Sequence, residues 1–493
     1  MQKKQTILVV ASLLVVVLSV TLAYFTAQII GKGKDVSVSS ADLKIIFTDS
    51  DGAISGSNIE PGWSDTKTFT VENNSKSEYK YNIVIKDLLN TFVTNGYLQY
   101  KITSTNGGYN MTEFKDVPKS SVATDTILAY SVVIPNGVTQ SYTIEFKYAN
   151  DESVDQSDDM GKKLSGKLFI TEGTEDPNKT LYNQLLADKS TVLTRTDFSK
   201  VLTDNNTKTL YTSTEDSKTV YYFAGNATDN WVKFGKNASN QDLYWRIIRT
   251  NSDGGVRLLY HGTSTTATDA YIRTSTFNSS YNNIAYVSYM YGNLGSVANA
   301  RENTTHSTIK TIIDNWYKDN LNTNYGKYLS TTAVYCNDRS TSDNAYFGAY
   351  TRLITNKTPS YDCAATEDKF TVDSTVGNGK LTYPIALMTA DEVSFAGGVY
   401  GTNAPAWYYY NSANGSSTGS TWWWLLSPNF WDGSRAGVFF VGGSSFPGSF
   451  SGDYVGNTGN VRPAISLKSC IKYSTGNGSA SDPYTIKETS SGC

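Results

Sequence analysis

Two apolar stretches and the segment that joins them decide how the second half of this chain folds: WWWLLSP at 422–428, NVRPAISLKS at 460–469, and between them NFWDGSRAGVFFVGGSSFPGSFSGDYVGNTGN at 429–460. Aromatic and β-branched runs broken by Gly, Ser and Asn are typical of short strands joined by tight turns. The joining segment sets large rings on a background of small residues. It therefore predicts a strand-rich layer that carries aromatic side chains.

Around this segment, the sequence mixes further strands with a few helices. A hairpin is predicted around residues 253–255, Asp-Gly-Gly, between two apolar runs. A helix is predicted from Ser307 to about Leu321, because apolar side chains recur there at i, i+3, i+4 and i+7. A shorter helix is predicted after Thr389, which forms a capping box with Glu392. This part of the chain is therefore expected to be an α+β domain.

Five motifs in this order resemble the C-type-lectin-like domain of secreted bacterial proteins: YWRIIR (244–249), YCNDRS (335–340), YPIALMTADEVSFAGG (383–398), WWWLLSP and NVRPAISLKS. That fold is shared with formylglycine-generating enzymes and with the variable proteins of diversity-generating retroelements. The resemblance implies a C-type-lectin-like ligand-binding domain over residues 208–493. One fold hosts unrelated functions, so the resemblance alone does not choose between binding and catalysis.

The retroelement-diversified proteins carry a variable region at the position of residues 429–460. Randomised adenines in Asn-type codons cannot produce Lys, Gln, Glu, Met or Trp, and residues 432–460 contain none of these five types. The resemblance therefore implies a hypervariable ligand-binding face, although about half of the rings should instead fill the core, since aromatic residues are largely buried on average. A scaffold of Trp424, Trp431, Val438 and Val455 would hold the face. The predicted ligand-binding residues are Phe430, Asp432, Arg435, Gly437, Phe440, Gly442, Gly443, Ser445, Phe446, Ser449, Phe450, Asp453 and Tyr454.

The first part of the chain predicts a β-sandwich over residues 35–172. Residues 79–86 and 142–148 alternate apolar and polar side chains with a period of two, which is typical of half-buried strands. Pro61-Gly62 and Pro135-Asn136-Gly137 supply turns before strand-like runs. Short strands separated by turns, with few helical patterns, indicate two packed sheets.

Residues 173–207 are polar and predict a linker between the two domains. A short helix is predicted at 181–187, because Leu181, Leu185 and Leu186 share one face there. The expected organisation is therefore a signal peptide or signal anchor at 1–26, a β-sandwich at 35–172, a linker at 173–207 and a ligand-binding domain at 208–493.

The N-terminal residues 1–26 predict a signal peptide or a signal anchor. Lys3 and Lys4 precede an apolar run at 7–25, and Thr21-Leu22-Ala23 offers small side chains to signal peptidase. The run is also long enough to span a membrane, so both outcomes stay open, with cleavage favoured. This segment and the string PGWSDTKTFTVENNSKSEYKYNIVI resemble the camelysin- and TasA-like proteins secreted by Gram-positive bacteria. The resemblance implies an immunoglobulin-like sandwich and, in some members, assembly into fibres.

The composition argues against several functions. The 493 residues carry a formal net charge of -3 and no concentrated basic run, so no nucleic-acid partner is expected. The two histidines, His261 and His306, exclude a multi-histidine metal site, and we expect no metal and no cofactor. A membrane is expected as a partner only through the N-terminal segment.

Four cysteines lie in the second domain, and none forms a C-x-x-C motif. An even count in a secreted protein indicates disulfides. Three connectivities are open, of which we favour Cys336 with Cys363 and Cys470 with Cys493.

Three functions remain open at this stage. We favour a secreted adhesin or receptor, not an enzyme, that binds an unknown protein or glycan on another cell, phage or host surface. A fibre or biofilm-matrix subunit is the alternative, with residues 36–47 as a donated edge strand. A formylglycine-generating enzyme is disfavoured, because no histidine lies near Cys470 or Cys493 in sequence and Asp338-Arg339 better suits an ion pair. Calcium-dependent sugar binding is not expected, because Ser427-Pro428-Asn429 lacks the acidic residue of such motifs.

Overall fold

The computed structural model describes residues 36–38, 41–47, 52–55, 59–111, 113–177, 179–189, 191–204, 206–267, 270–341, 345–405, 408 and 422–493. The chain divides after Pro177 into two compact units, and strands predominate in both. The prediction of a multidomain, β-rich protein is therefore confirmed. The predicted signal segment at 1–26 lies outside the described residues. Within the described ranges, no helix is both long and apolar enough to cross a membrane.

The described part of the first unit holds ten strands in two antiparallel sheets, with the orders β1-β2-β4-β9-β6-β7 and β3-β10-β5-β8. The predicted strands at 79–86 and 142–148 lie within β5 and β9 and are confirmed. In chain order the strands are β1 (Val36–Val38), β2 (Ala41–Phe47), β3 (Ala53–Ser55), β4 (Ser64–Asn73), β5 (Tyr79–Asn90), β6 (Leu98–Ser104), β7 (Lys115–Asp116), β8 (Ser120–Ile134), β9 (Thr139–Tyr148) and β10 (Leu164–Glu172).

Both sheets of the first unit contribute to one apolar core. Val71 and Ile144 come from one sheet and Ile83 from the other, and all three are fully buried. The hydroxyl of Tyr81 on β5 donates a hydrogen bond of 2.6 Å to Oε1 of Gln140 on β9. A buried hydroxyl needs such a partner, so this bond links the two sheets through the core.

The second unit mixes strands with short helices. Its strands are β11 (Thr191–Thr194), β12 (Thr209–Glu215), β13 (Lys218–Tyr222), β14 (Trp231–Lys236), β15 (Asp242–Thr250), β16 (Val256–Gly262), β17 (Arg273–Ser275), β18 (Met290–Tyr291), β19 (Thr305–His306), β20 (Tyr335–Cys336), β21 (Lys369–Phe370), β22 (Ile385–Leu387), β23 (Trp423–Trp431), β24 (Ala436–Val441), β25 (Phe450–Tyr454), β26 (Gly459–Val461), β27 (Pro463–Leu467), β28 (Tyr473–Thr475) and β29 (Tyr484–Ile486). Its α-helices are α1 (Leu181–Asp188), α2 (Val297–Ala300), α3 (Thr308–Asn320), α4 (Asn322–Tyr325), α5 (Gly348–Tyr350) and α6 (Ala390–Phe395).

A ten-stranded sheet forms the centre of this unit. Its main path is β11-β12-β13-β15-β14-β29-β28, and β16, β27 and β22 extend it from β15. Most of the segment predicted as a linker does not connect the units but is part of the second unit, which begins after Pro177. Helix α1 forms as its leucine spacing predicts, but Leu181 and Leu185 are buried in the core of the second unit, and β11 pairs with β12. The apolar face of α1 explains this, because it must be covered.

The structure confirms the hairpin and the two helices that the sequence predicts in the second unit. Asp253-Gly254-Gly255 lies between the paired strands β15 and β16. Helix α3 begins after Ser307, whose hydroxyl accepts a hydrogen bond from the backbone N–H of Lys310. Thr389 and Glu392 form the predicted capping box of α6, and Gly397 follows that helix with a φ of 117°. Such a φ favours glycine.

Two disulfides close loops within the second unit. Cys336 is joined to Cys363 and Cys470 to Cys493, the pairing that the sequence analysis favours. Disulfides form and persist in oxidising environments, which is consistent with a protein outside the cytoplasm.

Candidate ligand-binding face

A separate five-stranded sheet in the second unit carries the predicted binding segment. Its order is β17-β26-β23-β24-β25, so residues 429–460 contribute most of it. The scaffold residues Trp424, Val438 and Val455 are fully buried, and the indole N–H of Trp424 donates 2.9 Å to the carbonyl of Ser275 on β17. Trp431, the fourth scaffold residue, is half-buried. The sheet is therefore anchored from beneath by apolar side chains.

One row of residues crosses this sheet with its side chains on a single face. Phe430 on β23 is paired with Gly437 on β24, which is paired with Tyr454 on β25. Gly437 has no side chain, and the ring of Phe430 occupies the space where its Cβ would lie. The rings of Phe430 and Tyr454 meet there edge to face, with centroids 5.4 Å apart. Glycine at 437 thus lets two half-buried rings touch across a strand.

The turn between β23 and β24 adds a charged pair to this row. The guanidinium of Arg435 lies 3.8 Å from the centroid of the Tyr454 ring, and its Nε donates 3.1 Å to Oδ2 of Asp432. Asp432 also accepts hydrogen bonds from the backbone N–H groups of Ser434 and Arg435. Burial would raise the pKa of Asp432, but the bonds from Ser434 and Arg435 lower it to about 2. The turn therefore keeps its shape and its ion pair across the physiological pH range.

Two tyrosines that the sequence analysis did not single out extend the row. Tyr346 forms an antiparallel bridge with Phe430, beside hydrogen bonds that join Ala345 and Phe347 to the end of β23. Tyr346 stacks on Tyr350 with centroids 3.8 Å apart, and 36% of its surface is exposed. The spacing of two tyrosines four residues apart was the available signal, but nothing local shows that they meet a strand more than 80 residues later.

We call Phe430, Tyr454, Tyr346, Tyr350, Arg435 and Asp432 the aromatic face. Of the thirteen residues predicted to bind a ligand, it brings together Phe430, Asp432, Arg435 and Tyr454, with Gly437 beneath the rings. Its rings are partly exposed and held by backbone pairing. Chemically it offers flat apolar surface, tyrosine hydroxyl groups and one ion pair, which can form apolar contacts and hydrogen bonds with a ligand.

The other predicted binding residues lie elsewhere. Phe440 and Asp453 project to the opposite face of the sheet, where Phe440 packs against Trp422 with centroids 5.0 Å apart. Ser445 and Phe446 lie in the exposed turn after β24, about 17 Å of strand away from Arg435. The structure places the remaining four in the interior: Gly442, Gly443, Ser449 and Phe450. Phe450 is only 1% exposed because it packs against Phe439 and Tyr400.

A buried network of ion pairs, which the sequence analysis missed, lies in the same unit. Arg249 bonds Glu215 and Glu392, and Arg257 also bonds Glu392. Arg352 bonds Asp338 and Asp391, each at 2.8–2.9 Å. A partly open cavity beside Arg249, Arg352 and Glu392 has a volume of about 20 Å³, room for about one water molecule.

This network assigns Asp338 and Arg339 to separate partners. Asp338 pairs with Arg352, whereas the guanidinium of Arg339 bonds Asp368 at 2.8 Å. Burial would raise the pKa of Asp338, but Arg352 outweighs burial and holds it below its usual value. In the part of the chain that the structure describes, no group of three or more His, Cys, Asp or Glu side chains is arranged to hold a metal ion.

No known protein family and no curated protein matches this chain. Among solved structures, a ruminal GH26 endo-beta-1,4-mannanase is similar over 31% of this chain and 28% of its own length, with 14% sequence identity and a TM-score of 0.15. The match thus spans less than a third of the mannanase. A TM-score of that size says nothing about the fold or activity of this chain.

Proposed function

We propose that this chain is a secreted or surface-displayed binding protein, an adhesin or receptor rather than an enzyme. In this proposal residues 208–493 form a C-type-lectin-like domain that presents the aromatic face, and residues 35–172 form an immunoglobulin-like sandwich that displays it. The ligand is a protein or a glycan on another cell, phage or host surface. The observation that carries the proposal is the row of partly exposed rings from Tyr346 through Phe430 to Tyr454, capped by Arg435.

The chemistry of this row favours recognition. Tyrosine and phenylalanine supply large contact area with only two rotatable side-chain bonds, so ordering them on binding costs little conformational entropy. Tyr454 and Phe430 are already held by each other, and Tyr454 is also held by Arg435, which lowers that cost further. Two disulfides in the same unit favour a location in an oxidising, extracellular compartment.

A diversified ligand-binding face is the finer part of the proposal. Variation is tolerated only where a new side chain does not enter the core. Among the thirteen predicted positions, Phe430, Asp432, Arg435, Ser445, Phe446 and Tyr454 meet this condition best, whereas Phe450 and Gly437 do not. Sequencing the DNA that encodes residues 420–470 across a population should show substitutions concentrated at the first set. Substitutions that fall equally on buried positions would contradict diversification. So would a uniform sequence at a locus that carries no template copy.

A binding assay with matched variants tests the main proposal. The labelled full-length protein is incubated with bacterial, phage and epithelial-cell surfaces, and the retained label is measured. We expect Phe430→Ala/Tyr454→Ala to reduce retention at least tenfold, about the effect of losing one hot-spot residue. Leu193→Ala is the control, because Leu193 is 45% exposed but lies on β11, in the ten-stranded sheet rather than in the sheet of the aromatic face.

The two variants together decide the outcome. Equal retention by wild-type protein and the Phe430→Ala/Tyr454→Ala variant on every surface would contradict the aromatic face as the site. Treating the surfaces with protease or with periodate then separates a protein ligand from a glycan. A circular-dichroism spectrum of each variant excludes unfolding as the cause.

A fibre or matrix subunit remains the second candidate. Strand β2 lies next to the edge of its sheet and pairs with β4 of its own chain, and β1 and β2 thus occupy the place a donated strand would take. In this alternative the protein forms filaments whose number rises with concentration, which electron microscopy would detect. A protein that stays monomeric at high concentration would exclude it.

A further inference from the structure

A lysine and an aspartate lie in contact inside the second unit, where α1 ends. Nζ of Lys189 is 2.7 Å from Oδ2 of Asp229, and the lysine side chain is 0% exposed and that of the aspartate 7%. Nζ also lies 5.3 Å from the ring centroid of Phe223 and 5.5 Å from that of Tyr484. Two opposite charges held among aromatic rings have lost most of their hydration, which favours any reaction that removes both charges.

Three further groups lie around this pair: the Tyr484 hydroxyl, the Asp188 carboxylate and the backbone N–H of Lys208. The hydroxyl of Tyr484 lies 3.3 Å from Nζ of Lys189 and donates 2.8 Å to Oδ2 of Asp188. The backbone N–H of Lys208 donates 2.8 Å to Oδ2 of Asp229. Oδ1 of Asp229 has no hydrogen-bond partner among the described residues. The site thus holds an amine, a carboxyl group, a second carboxylate reached through a hydroxyl, and a backbone donor.

We propose that Lys189 and Asp229 condense into an intramolecular amide bond. Proton transfer from the ammonium to the carboxylate first gives a neutral amine and a carboxylic acid. Nζ then attacks Cγ, so that the Nζ–Cγ bond forms and the Cγ–Oδ1 bond breaks. Oδ1 leaves as water with the two protons that Nζ has lost, and Oδ2 stays as the amide oxygen. One positive and one negative charge disappear, and the step requires no oxidant or other co-reactant.

The surrounding groups have defined roles in this step. The N–H of Lys208 bonds Oδ2, the oxygen on which negative charge develops as Nζ attacks Cγ. Asp188 accepts a proton from Nζ through the hydroxyl of Tyr484 and returns it to the leaving oxygen. Because the reacting groups are already in contact, the reaction is intramolecular and needs no diffusion step.

A second buried pair in the same unit provides an internal comparison. Lys310 and Asp314 are 2.5 Å apart on successive turns of α3, and His306 lies 3.9 Å from Asp314. Among the described contacts of this pair there is no backbone N–H on the carboxylate and no second carboxylate reached through a tyrosine. We therefore expect Lys310 to stay unmodified.

The bond would join the end of α1 to the loop that precedes β14, 40 residues later. Helix α1 is the first element of the second unit after the chain division at Pro177. The link would thus prevent α1 from detaching when the chain is pulled from its N-terminal side. A displayed domain under tension would benefit from such a link.

Mass spectrometry of the full chain, reduced and alkylated, tests this inference. We expect a mass one water molecule below that of the sequence, and a branched tryptic peptide that joins the segments containing Lys189 and Asp229. Lys189→Arg keeps the positive charge but removes the amine, so it should have its full mass. Lys310→Arg, the matched control, should still lack one water.

Two results would overturn the inference. One is a wild-type protein whose Lys189 and Asp229 are recovered in separate, unmodified tryptic peptides. The other is a loss of water that persists in Lys189→Arg, since the Asp-Gly sequences at 51–52, 253–254 and 432–433 can lose water by forming succinimides. The branched peptide is sought in the wild-type protein itself, so the test does not depend on whether a variant folds.

Discussion

At the scale of single residues, Gly437 determines whether the aromatic face exists. A Cβ at this position would overlap the ring of Phe430, which would have to swing away from Tyr454. We therefore expect Gly437→Ala to lower the free energy of unfolding by about 1–3 kcal/mol, the usual cost of overpacking, and to abolish ligand retention. Urea unfolding measures the first effect and the cell-surface assay the second.

A double variant separates the overlap from other effects of alanine at this position. In Gly437→Ala/Phe430→Ala the overlapping ring is absent, so the free energy of unfolding should recover relative to Gly437→Ala alone. Residues in contact give such non-additive effects, whereas distant ones do not. Additive losses in the double variant would show that the ring does not lie over Gly437.

The sequence could predict which residue types form the face but not their orientation. Large rings among glycine and serine predict binding residues at Phe430 and Tyr454, and the resemblance adds Arg435. The same pattern predicts Phe450, yet its ring points into the core. Strand register decides between these outcomes, and β23 and β24 contain two register shifts between Trp424 and Phe430. Each shift changes which side chains face solvent, and Pro428 between the two shifts marks an irregular strand without giving its register.

At the scale of elements, Glu392 in α6 combines a local and a distant role. Its Oε2 accepts from the backbone N–H of Thr389 in the capping box, while Oε1 accepts from Arg249 and Arg257. We expect Glu392→Gln to lower the free energy of unfolding by about 3–5 kcal/mol, because two buried arginines then lose the negative charge of their shared carboxylate partner. Thr389→Ala, the matched control in the same box, should cost only about 1 kcal/mol.

The buried carboxylate of Glu392 also predicts that the free energy of unfolding depends on pH. Burial alone would raise the pKa of Glu392, but Arg257 and Arg249 outweigh burial and hold it below its usual value. The stabilisation is therefore complete above the pKa of the unfolded chain and is lost as the pH falls through the lower pKa of the folded state. The difference in unfolding free energy between wild type and Glu392→Gln should shrink in acid. A constant difference down to acid pH would contradict the charge-based role.

The capping box was predictable and the arginine network was not, for one physical reason. Thr389 and Glu392 are three residues apart, so their interaction follows from helix geometry alone. Arg249 and Glu392 are 143 residues apart and meet only when β15 and α6 pack together. The helix α3 and the hairpin of β15 and β16 belong to the first class, and the bridge of Tyr346 to Phe430 belongs to the second.

At the scale of the whole molecule, the two units have separate apolar cores, and both disulfides close loops in the second. We therefore expect two unfolding transitions in calorimetry. Reduction should destabilise only one of them, by about 3 kcal/mol for each bond, since disulfides act mainly by restricting the unfolded chain.

Tryptophan fluorescence identifies which transition belongs to which unit. Eight of the nine tryptophans follow Pro177, and the other is Trp63. In a Trp63→Phe variant, fluorescence reports only on the second unit, whereas circular dichroism reports on both. Reduction should then move the whole fluorescence transition to lower temperature and only one part of the dichroism transition. A single transition that moves as a whole by both methods would show that the units unfold together, because cooperative unfolding requires that the loss of one core removes the other.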